Sequence, residues 1–165
     1  MEIKKLANNA LIFSFNRFIE IFGMCFVLMG ILLLISLNSF SPNDPNFIFP
    51  EGAVIKNLLG YQGSFFADLF FQSFGLISLL IPFSLIFTGI SIFIKKKIFL
   101  IIESGFFTVL YLLSGSLFFS IFYENSFELY INGNGGFVGN YLKTAFLISL
   151  ISFNSFVFHF LLIIF

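Results

Sequence analysis

Four long stretches of this sequence contain no Asp, Glu, Lys or Arg: residues 21–43, 69–94, 104–123 and 144–165. Each stretch is rich in Phe, Ile and Leu, and the 165-residue chain is 59% hydrophobic and only 10% charged. A soluble domain of this size cannot bury so much apolar surface, whereas ~20 apolar residues suffice for a helix to cross a hydrocarbon core of ~30 Å. The sequence therefore predicts an all-α membrane protein with four transmembrane helices, at about 21–38, 67–94, 98–123 and 144–165.

The ends of these stretches predict how the spans are connected. Pro82 should kink the second helix about one turn earlier, because it lacks an N–H and its ring crowds the preceding turn. Residues 95–97 are all Lys and end this span, and the third span begins almost at once, which predicts an antiparallel helix pair. Apolar residues at helical spacing in 1–20 predict a short interfacial helix before a membrane domain that comprises 21–165.

The distribution of basic residues predicts the orientation of the chain. Of the eight Lys and Arg residues, six lie before the first span or in the 95–97 turn, and only Lys56 and Lys143 lie in the other connections. Cytoplasmic loops of membrane proteins are enriched in Lys and Arg, so both termini are expected in the cytoplasm and 38–66 and 124–142 outside. No cationic flank follows the last apolar stretch, and we expect the chain to be a fragment whose missing part begins in the cytoplasm.

The segment SFSPNDPNF, residues 39–47, is the strongest turn signal in the chain. Pro42 and Pro45 oppose continuation of a helix, and the Asn and Asp between them favour turns that use their own side chains. The first helix should therefore stop where it leaves the lipid. The sequence that follows predicts a short interfacial helix near Ala53–Leu59 in this outer loop, with re-entry into the membrane after Gly60.

Few side chains suggest chemistry. Asp68 and Gln72 are four residues apart, so they share one helix face near the outer interface, where a structural hydrogen bond is favoured over an ion site. Glu103 is expected to form an ion pair with the nearby Lys95–Lys97 turn. His159 is the only histidine, and hydrogen bonding to a neighbouring helix is favoured over metal ligation because no second ligand accompanies it at a suitable spacing.

Glycines and serines are interpreted as structural. The stretch NGNGGFVG, 132–139, lacks the Gly-Lys-Ser/Thr ending of a phosphate-binding loop, and we interpret it as a helix entrance. Gly23 and Gly30, together with Ser78 and Ser91, permit close helix approach, although the sequence does not name the partner helix. No nucleophile and base pair, carboxylate dyad or metal cluster is evident, so an enzyme confined to this chain is not expected.

Several elements in a fixed order resemble the N-terminal four-helix membrane domain of the FtsK/SpoIIIE family of DNA translocases. They are LISLNSFSPNDPNF, then IKNLLGYQGSFFADLFFQSFGL, a Pro-containing span, a basic turn and GGFVGNYL. The residues that carry the resemblance are Ser41, Asp44, Pro45, Asn57, Gly60, Gly63, Ala67, Asp68, Gln72, Gly75, Gly135, Gly136 and Gly139.

The resemblance implies an inner-membrane anchor that targets the division septum and tethers a cytoplasmic motor absent from these residues. The implied partners are membrane lipid, other septal membrane proteins and further copies of the chain, which would assemble as hexamers through the missing motor. ATP, magnesium and DNA are implied only for that motor, so no cofactor is expected here. The alternative is a small four-span transporter or channel component, which requires polar groups near mid-bilayer such as Asn154 and His159.

Overall fold

The computed structural model describes residues 2–45, 54–123 and 132–145, and the regular structure within these ranges is helical. Three helical stretches are long and apolar enough to cross a membrane, at Asn8–Asn38, Gly60–Lys95 and Leu100–Phe122. The elements in chain order are α1 (Glu2–Asn38), α2 (Gly60–Phe74), a 3₁₀ segment (Gly75–Leu80), α3 (Ile81–Lys95), α4 (Leu100–Phe122) and α5 (Gly136–Thr144).

Helix α1 is longer than the predicted first span. It is one continuous helix of 37 residues, about 55 Å long at 1.5 Å per residue. The sequence predicted a separate interfacial helix before residue 21, but α1 passes through that boundary without a break. No Gly or Pro occurs between residues 2 and 22 to interrupt the helix.

The interfacial helix predicted near Ala53–Leu59 is wrong for the part that the structure describes, because residues 54–59 are not helical. Their backbone N–H groups donate to side chains instead of to the carbonyl four residues earlier. Asp44 accepts from residues 56 and 57, Ser39 accepts from residue 58, and Asn57 accepts from residue 59. Side chains thus replace the hydrogen bonds on which a helix depends.

The second predicted span, 67–94, is a helical stretch of Gly60–Lys95 with a change of geometry inside it. Helix α2 ends at Phe74, and the next residue, Gly75, has a φ of 70°. The 3₁₀ segment follows, and Pro82 lies in the first turn of α3, where its missing N–H costs no hydrogen bond. The distortion predicted before Pro82 is therefore present, but it begins at Gly75.

Helices α1 and α3 run antiparallel and are in close contact through glycine. A Cβ atom added to Gly89 would lie 2.6 Å from the carbonyl oxygen of Gly23, and one added to Gly30 would lie 2.8 Å from the carbonyl oxygen of Pro82. Of the small residues noted in the sequence, Gly23 and Gly30 therefore serve the α1–α3 contact, whereas Ser78 donates to the carbonyls of Phe70 and Gly75. Only glycine permits this approach between the two backbones.

Helix α4 returns antiparallel to α3, as predicted. The hydroxyl oxygens of Ser84 and Tyr111 are 2.9 Å apart, and Thr88 is hydrogen-bonded to Ser104 nearer the connecting turn. Two small apolar clusters provide further contacts between the helices. They are formed by Leu37, Ala67 and Phe71 between α1 and α2, and by Ile77, Ile81 and Leu112 between the 3₁₀ segment, α3 and α4.

Helix α5 begins at Gly136 and packs on α4 and α2. The predicted fourth span, 144–165, lies outside the described residues apart from its first two, and so do Asn154 and His159.

Candidate functional site

The residues that carry the family resemblance gather where α1 and α4 end, around both ends of α2 and the beginning of α5. Asp44 anchors the first part of this site. Its carboxylate accepts the N–H groups of Lys56 and Asn57 at 2.9 and 2.8 Å, and the residue is only 4% exposed. Because this carboxylate accepts two backbone hydrogen bonds, it connects the start of the loop between α1 and α2 to a point twelve residues later in the same loop.

Asn57 connects this loop to α1. Its side-chain amide donates to the carbonyl oxygens of Ser36 at 2.8 Å and Ser39 at 3.3 Å, and its Oδ1 accepts the N–H of Leu59. The carbonyl groups at the end of a helix have no partners within the helix, and Asn57 supplies a donor for that of Ser36 in the last turn of α1 and for that of Ser39 just beyond the helix. Asn57 therefore caps α1 and also shapes the turn into α2.

Two glycines explain why α2 can begin so close to α1. Gly60 has a φ of 66°, a conformation that other residues rarely adopt. A Cβ on Gly63 would overlap the Asn57 side chain, and the Gly63 carbonyl accepts a hydrogen bond of 2.6 Å from Ser36. On the next residue, the Ser64 hydroxyl donates to the carbonyl of Pro45 at 2.9 Å. We call the group Ser36, Asp44, Asn57, Gly63 and Ser64 the first cap.

A second cap joins the end of α2 to the entrance of α5. The N–H of Leu76 donates to the carbonyl of Asn134 at 2.9 Å. Gly75 and Gly136 both have positive φ, and a Cβ on Gly136 would lie 2.7 Å from the backbone of Phe74. The two chain segments therefore cross backbone to backbone at a point where only glycine fits.

Amide side chains extend the second cap across the end of the bundle. Gln72 donates to Asp68 at 3.4 Å, Asn132 donates to the Gln72 Oε1 at 3.0 Å, and Asn140 donates to the Asn132 carbonyl at 2.6 Å. Ser120 of α4 then donates to Asn140 at 3.1 Å. Asp68 and Gln72, for which a structural or interhelical hydrogen bond was predicted, are thus the first members of a chain of hydrogen bonds that links α2, α5 and α4.

The remaining glycines place α5 against α4. A Cβ on Gly135 would meet Ser120, and a Cβ on Gly139 would lie 2.7 Å from the carbonyl carbon of Ser116. Ser116 also donates its hydroxyl to the Phe74 carbonyl at 2.9 Å.

The other predicted residues have simpler roles: Ala67 is buried against Leu37 and Phe71, and the Ser41 carbonyl accepts the N–H of Asp44.

Charged residues mark the opposite end of the bundle. Glu20 of α1 pairs with Arg17 at 2.5 Å and with Lys96 at 2.8 Å, and Lys96 ends α3 in a left-handed conformation. Glu103 was predicted to pair with the Lys95–Lys97 turn, but it forms no ion pair within the described residues. Lys96 instead reaches a carboxylate on another helix, because α1 is already helical before the first uncharged stretch and presents Glu20 beside Lys96.

Sequence reasoning missed several residues of the site. Glu20 lies just outside the first uncharged stretch and was counted only as its boundary. The serines whose hydroxyls donate hydrogen bonds to backbone carbonyls of neighbouring segments cannot be told, from the sequence alone, from other polar residues within apolar stretches. The asparagines of the NGNGG stretch were interpreted only as loop formers. The missed residues are Glu20, Ser36, Ser39, Ser64, Ser116, Ser120, Asn132, Asn134 and Asn140.

The polar groups at this end of the bundle mainly join segments of the chain to one another. These polar side chains are amides, hydroxyls and the carboxylates of Asp44 and Asp68, and most of them form hydrogen bonds between segments. Within the ranges that the structure describes, no group of three His, Cys, Asp or Glu residues could hold a metal ion. At the surface of this loop Val54 is 88% exposed and Leu58 79% exposed, and the charged Lys56 between them is exposed as well.

Antiparallel helices of this length and apolarity define a multi-pass α-helical membrane protein. The chain belongs to the FtsK/SpoIIIE family, since the family described as the 4TM region of DNA translocase FtsK/SpoIIIE matches residues 16–165. Over 55 residues, or 32% of this chain, it is 46% identical to the DNA translocase FtsK of Rhizobium meliloti (strain 1021). The matched region is 6% of that relative, so the chain corresponds to a small part of it. No solved structure shows a significant match.

Proposed function

We propose that this chain is the inner-membrane anchor and septum-targeting module of a DNA translocase. The observation that carries the proposal is the match of the 4TM family over nearly the whole chain. The anchor tethers an ATP-driven motor that these residues do not contain. The chain itself performs no catalysis. The binding of DNA and ATP and the assembly into hexamers are functions of that motor.

The charge distribution supports an orientation in which the caps lie outside the cytoplasm. The end of the bundle that carries Glu20 and Lys96 also carries six of the eight basic residues, which favours the cytoplasmic side. The first cap then faces the periplasm or cell exterior, where septal membrane proteins are accessible. The motor lies on the side of the Lys95–Lys97 turn.

The rigidity of the first cap supports a role in recognition. Four hydrogen bonds to side chains, one of them buried, fix the backbone of residues 56–59 and so hold the exposed Leu58 in place. Val54 is exposed two residues before this backbone begins. Exposed apolar residues on a preorganised loop lose little conformational entropy on binding. We therefore assign Val54 and Leu58 to the contact with a septal partner.

A fluorescent fusion of the chain in dividing bacteria tests this function. We expect label at the septum for the parent chain, and reduced septal enrichment at equal membrane abundance for Val54→Ser combined with Leu58→Ser. The matched control is Leu6→Ser, which alters a leucine of similar exposure at the other end of α1. Uniform membrane label for the parent chain would contradict septum targeting. Loss of septal enrichment in the Leu6→Ser control as well would contradict the assignment of Val54 and Leu58 to the contact with a septal partner.

The transporter alternative has one observation in its favour, a groove between α3 and α4 that hydroxyl groups line. At the deeper end of the groove these hydroxyl groups are hydrogen-bonded to one another, as Ser84 is to Tyr111. A transport path needs polar groups that are open to a solute through the full bilayer. Selective flux through liposomes containing the purified chain would favour transport over anchoring.

A further inference from the structure

The groove between α3 and α4 has a volume of about 450 Å³ and opens beside the turn that joins these helices. Its deeper half is closed by the two hydroxyl pairs that connect α3 to α4. Its mouth lies next to the Lys95–Lys97 turn, where the charged residues end the apolar stretch of α3. The residues lining the mouth are Phe87, Ser91, Lys95, Leu100, Glu103 and Phe107.

One cation and one anion face this mouth without neutralising each other. Lys95 and Glu103 both line the groove, yet the ion pairs of the described residues are those of Glu20 with Arg17 and with Lys96. Lys96 is turned away towards α1, which leaves Lys95 as the cation of the mouth. Charged groups at the edge of the hydrocarbon core favour a partner of opposite charge.

A hydroxyl group lies one turn deeper in the same groove. Ser91 precedes Lys95 by four residues, about 6 Å along α3, and lies on the same helix face. Its hydroxyl forms no hydrogen bond within the part of the chain that the structure describes, unlike Ser84 and Thr88 on the same helix. The mouth therefore offers a cation, an anion and, deeper, a hydroxyl donor beside aromatic and aliphatic walls.

We propose that this groove binds a zwitterionic phospholipid whose headgroup carries a primary ammonium, namely phosphatidylethanolamine. Lys95 binds the phosphate, and Glu103 accepts hydrogen bonds from the ammonium group. Ser91 donates to an ester carbonyl, which in a phospholipid lies deeper than the phosphate. An acyl chain then covers the apolar wall formed by Phe87 and Phe107.

The same geometry disfavours the other common headgroups. The phosphate of phosphatidylglycerol satisfies Lys95, but its glycerol headgroup brings neutral hydroxyls and no cation, so the negative charge of Glu103 is not compensated. The trimethylammonium of phosphatidylcholine is cationic but has no N–H to donate, so it loses the charge-assisted hydrogen bond to Glu103. The preference for phosphatidylethanolamine thus depends on Glu103, whereas binding of any phospholipid depends on Lys95.

Native mass spectrometry of the purified 165-residue chain in detergent tests the site. The probe is an equimolar mixture of the ethanolamine, choline and glycerol phospholipids with identical acyl chains. We expect the bound amount of the ethanolamine lipid to exceed that of each other lipid by about tenfold. This is the change in affinity expected for one hydrogen bond between charged groups. Glu103→Gln should remove this preference, and Lys95→Gln should lower retention of all three lipids.

Two further variants separate the site from a general basic surface. Lys97→Gln is the matched control, because it removes the same charge from the same turn but does not line the groove. Ser91→Ala should lower retention severalfold without changing the order of the three lipids. Equal retention of the ethanolamine and glycerol lipids by the parent chain overturns the proposal, as does a loss in Lys97→Gln equal to that in Lys95→Gln. Far-UV circular dichroism establishes that each variant keeps its helices.

Discussion

The contact between α1 and α3 predicts opposite effects for the same substitution at two glycines. Gly89→Ala would place a Cβ 2.6 Å from the carbonyl oxygen of Gly23 and 2.8 Å from the N atom of Val27. Both contacts are with backbone atoms of α1, which cannot rotate out of the way. The two helices must therefore separate along the most extensive contact in the bundle.

Gly105→Ala is the matched control, because an added Cβ at Gly105 meets no atom within 4 Å. Both glycines lie inside helices, so alanine gains about 0.5–1 kcal/mol of helix stability at either position. At Gly89 the forced separation costs about 1–3 kcal/mol, as overpacking does in tightly packed interiors. We expect Gly89→Ala to be destabilised by about 1–2 kcal/mol and Gly105→Ala to be unchanged or slightly stabilised.

Unfolding in mixed micelles with an increasing mole fraction of sodium dodecyl sulfate measures this difference. The chain has no Trp, so far-UV circular dichroism is the suitable probe. Gly23→Ala should behave like Gly89→Ala, since its Cβ would lie 2.8 Å from the Gly89 carbonyl oxygen. A midpoint for Gly89→Ala equal to that of Gly105→Ala would refute the claim that glycine sets the α1–α3 distance.

Three further predictions concern the caps and the charged end. Asn57→Ala removes three hydrogen bonds from the first cap and should destabilise the chain by about 2–3 kcal/mol in the same unfolding assay; an unchanged midpoint would argue against the cap. Gly75→Ala should speed hydrogen exchange at the Leu76 amide, because a left-handed conformation costs alanine about 1–2 kcal/mol and the added Cβ would meet Asn134; equal exchange rates contradict the crossing. Glu20→Gln should increase trypsin cleavage in the Lys95–Lys97 turn, since Lys96 loses its partner, whereas Glu103→Gln should leave cleavage unchanged.

The uncharged stretches predicted the main features of the fold because their cause is local. A span must be apolar along its whole length, and charges or turn formers must stand at its ends, so the described spans lie where those stretches lie. The break before Pro82 and the antiparallel return after Lys95–Lys97 follow from backbone chemistry and connection length. These properties need no knowledge of the neighbouring helix.

The features that sequence reasoning missed depend on contacts between distant segments. Gly23 was recognised as a small residue, but its partner Gly89 is known only once α1 and α3 are placed together. Likewise, Asp44 and Ser39 accept the N–H groups of residues 56–58 and so prevent the interfacial helix that the local pattern favoured. Glu20 was treated as a boundary because nothing near it in sequence indicates that Lys96 lies beside it.

The central claim is that the first cap and the Lys95–Lys97 turn lie on opposite sides of the membrane, with the cap outside. Single cysteines at the exposed Leu58 and at Lys97, introduced by Leu58→Cys and Lys97→Cys in a Cys25→Ser background, test it with a membrane-impermeant maleimide on spheroplasts. The account predicts labelling of Leu58→Cys in intact spheroplasts and of Lys97→Cys only after lysis. Labelling of Lys97→Cys in intact spheroplasts, or protection of Leu58→Cys until lysis, would contradict it.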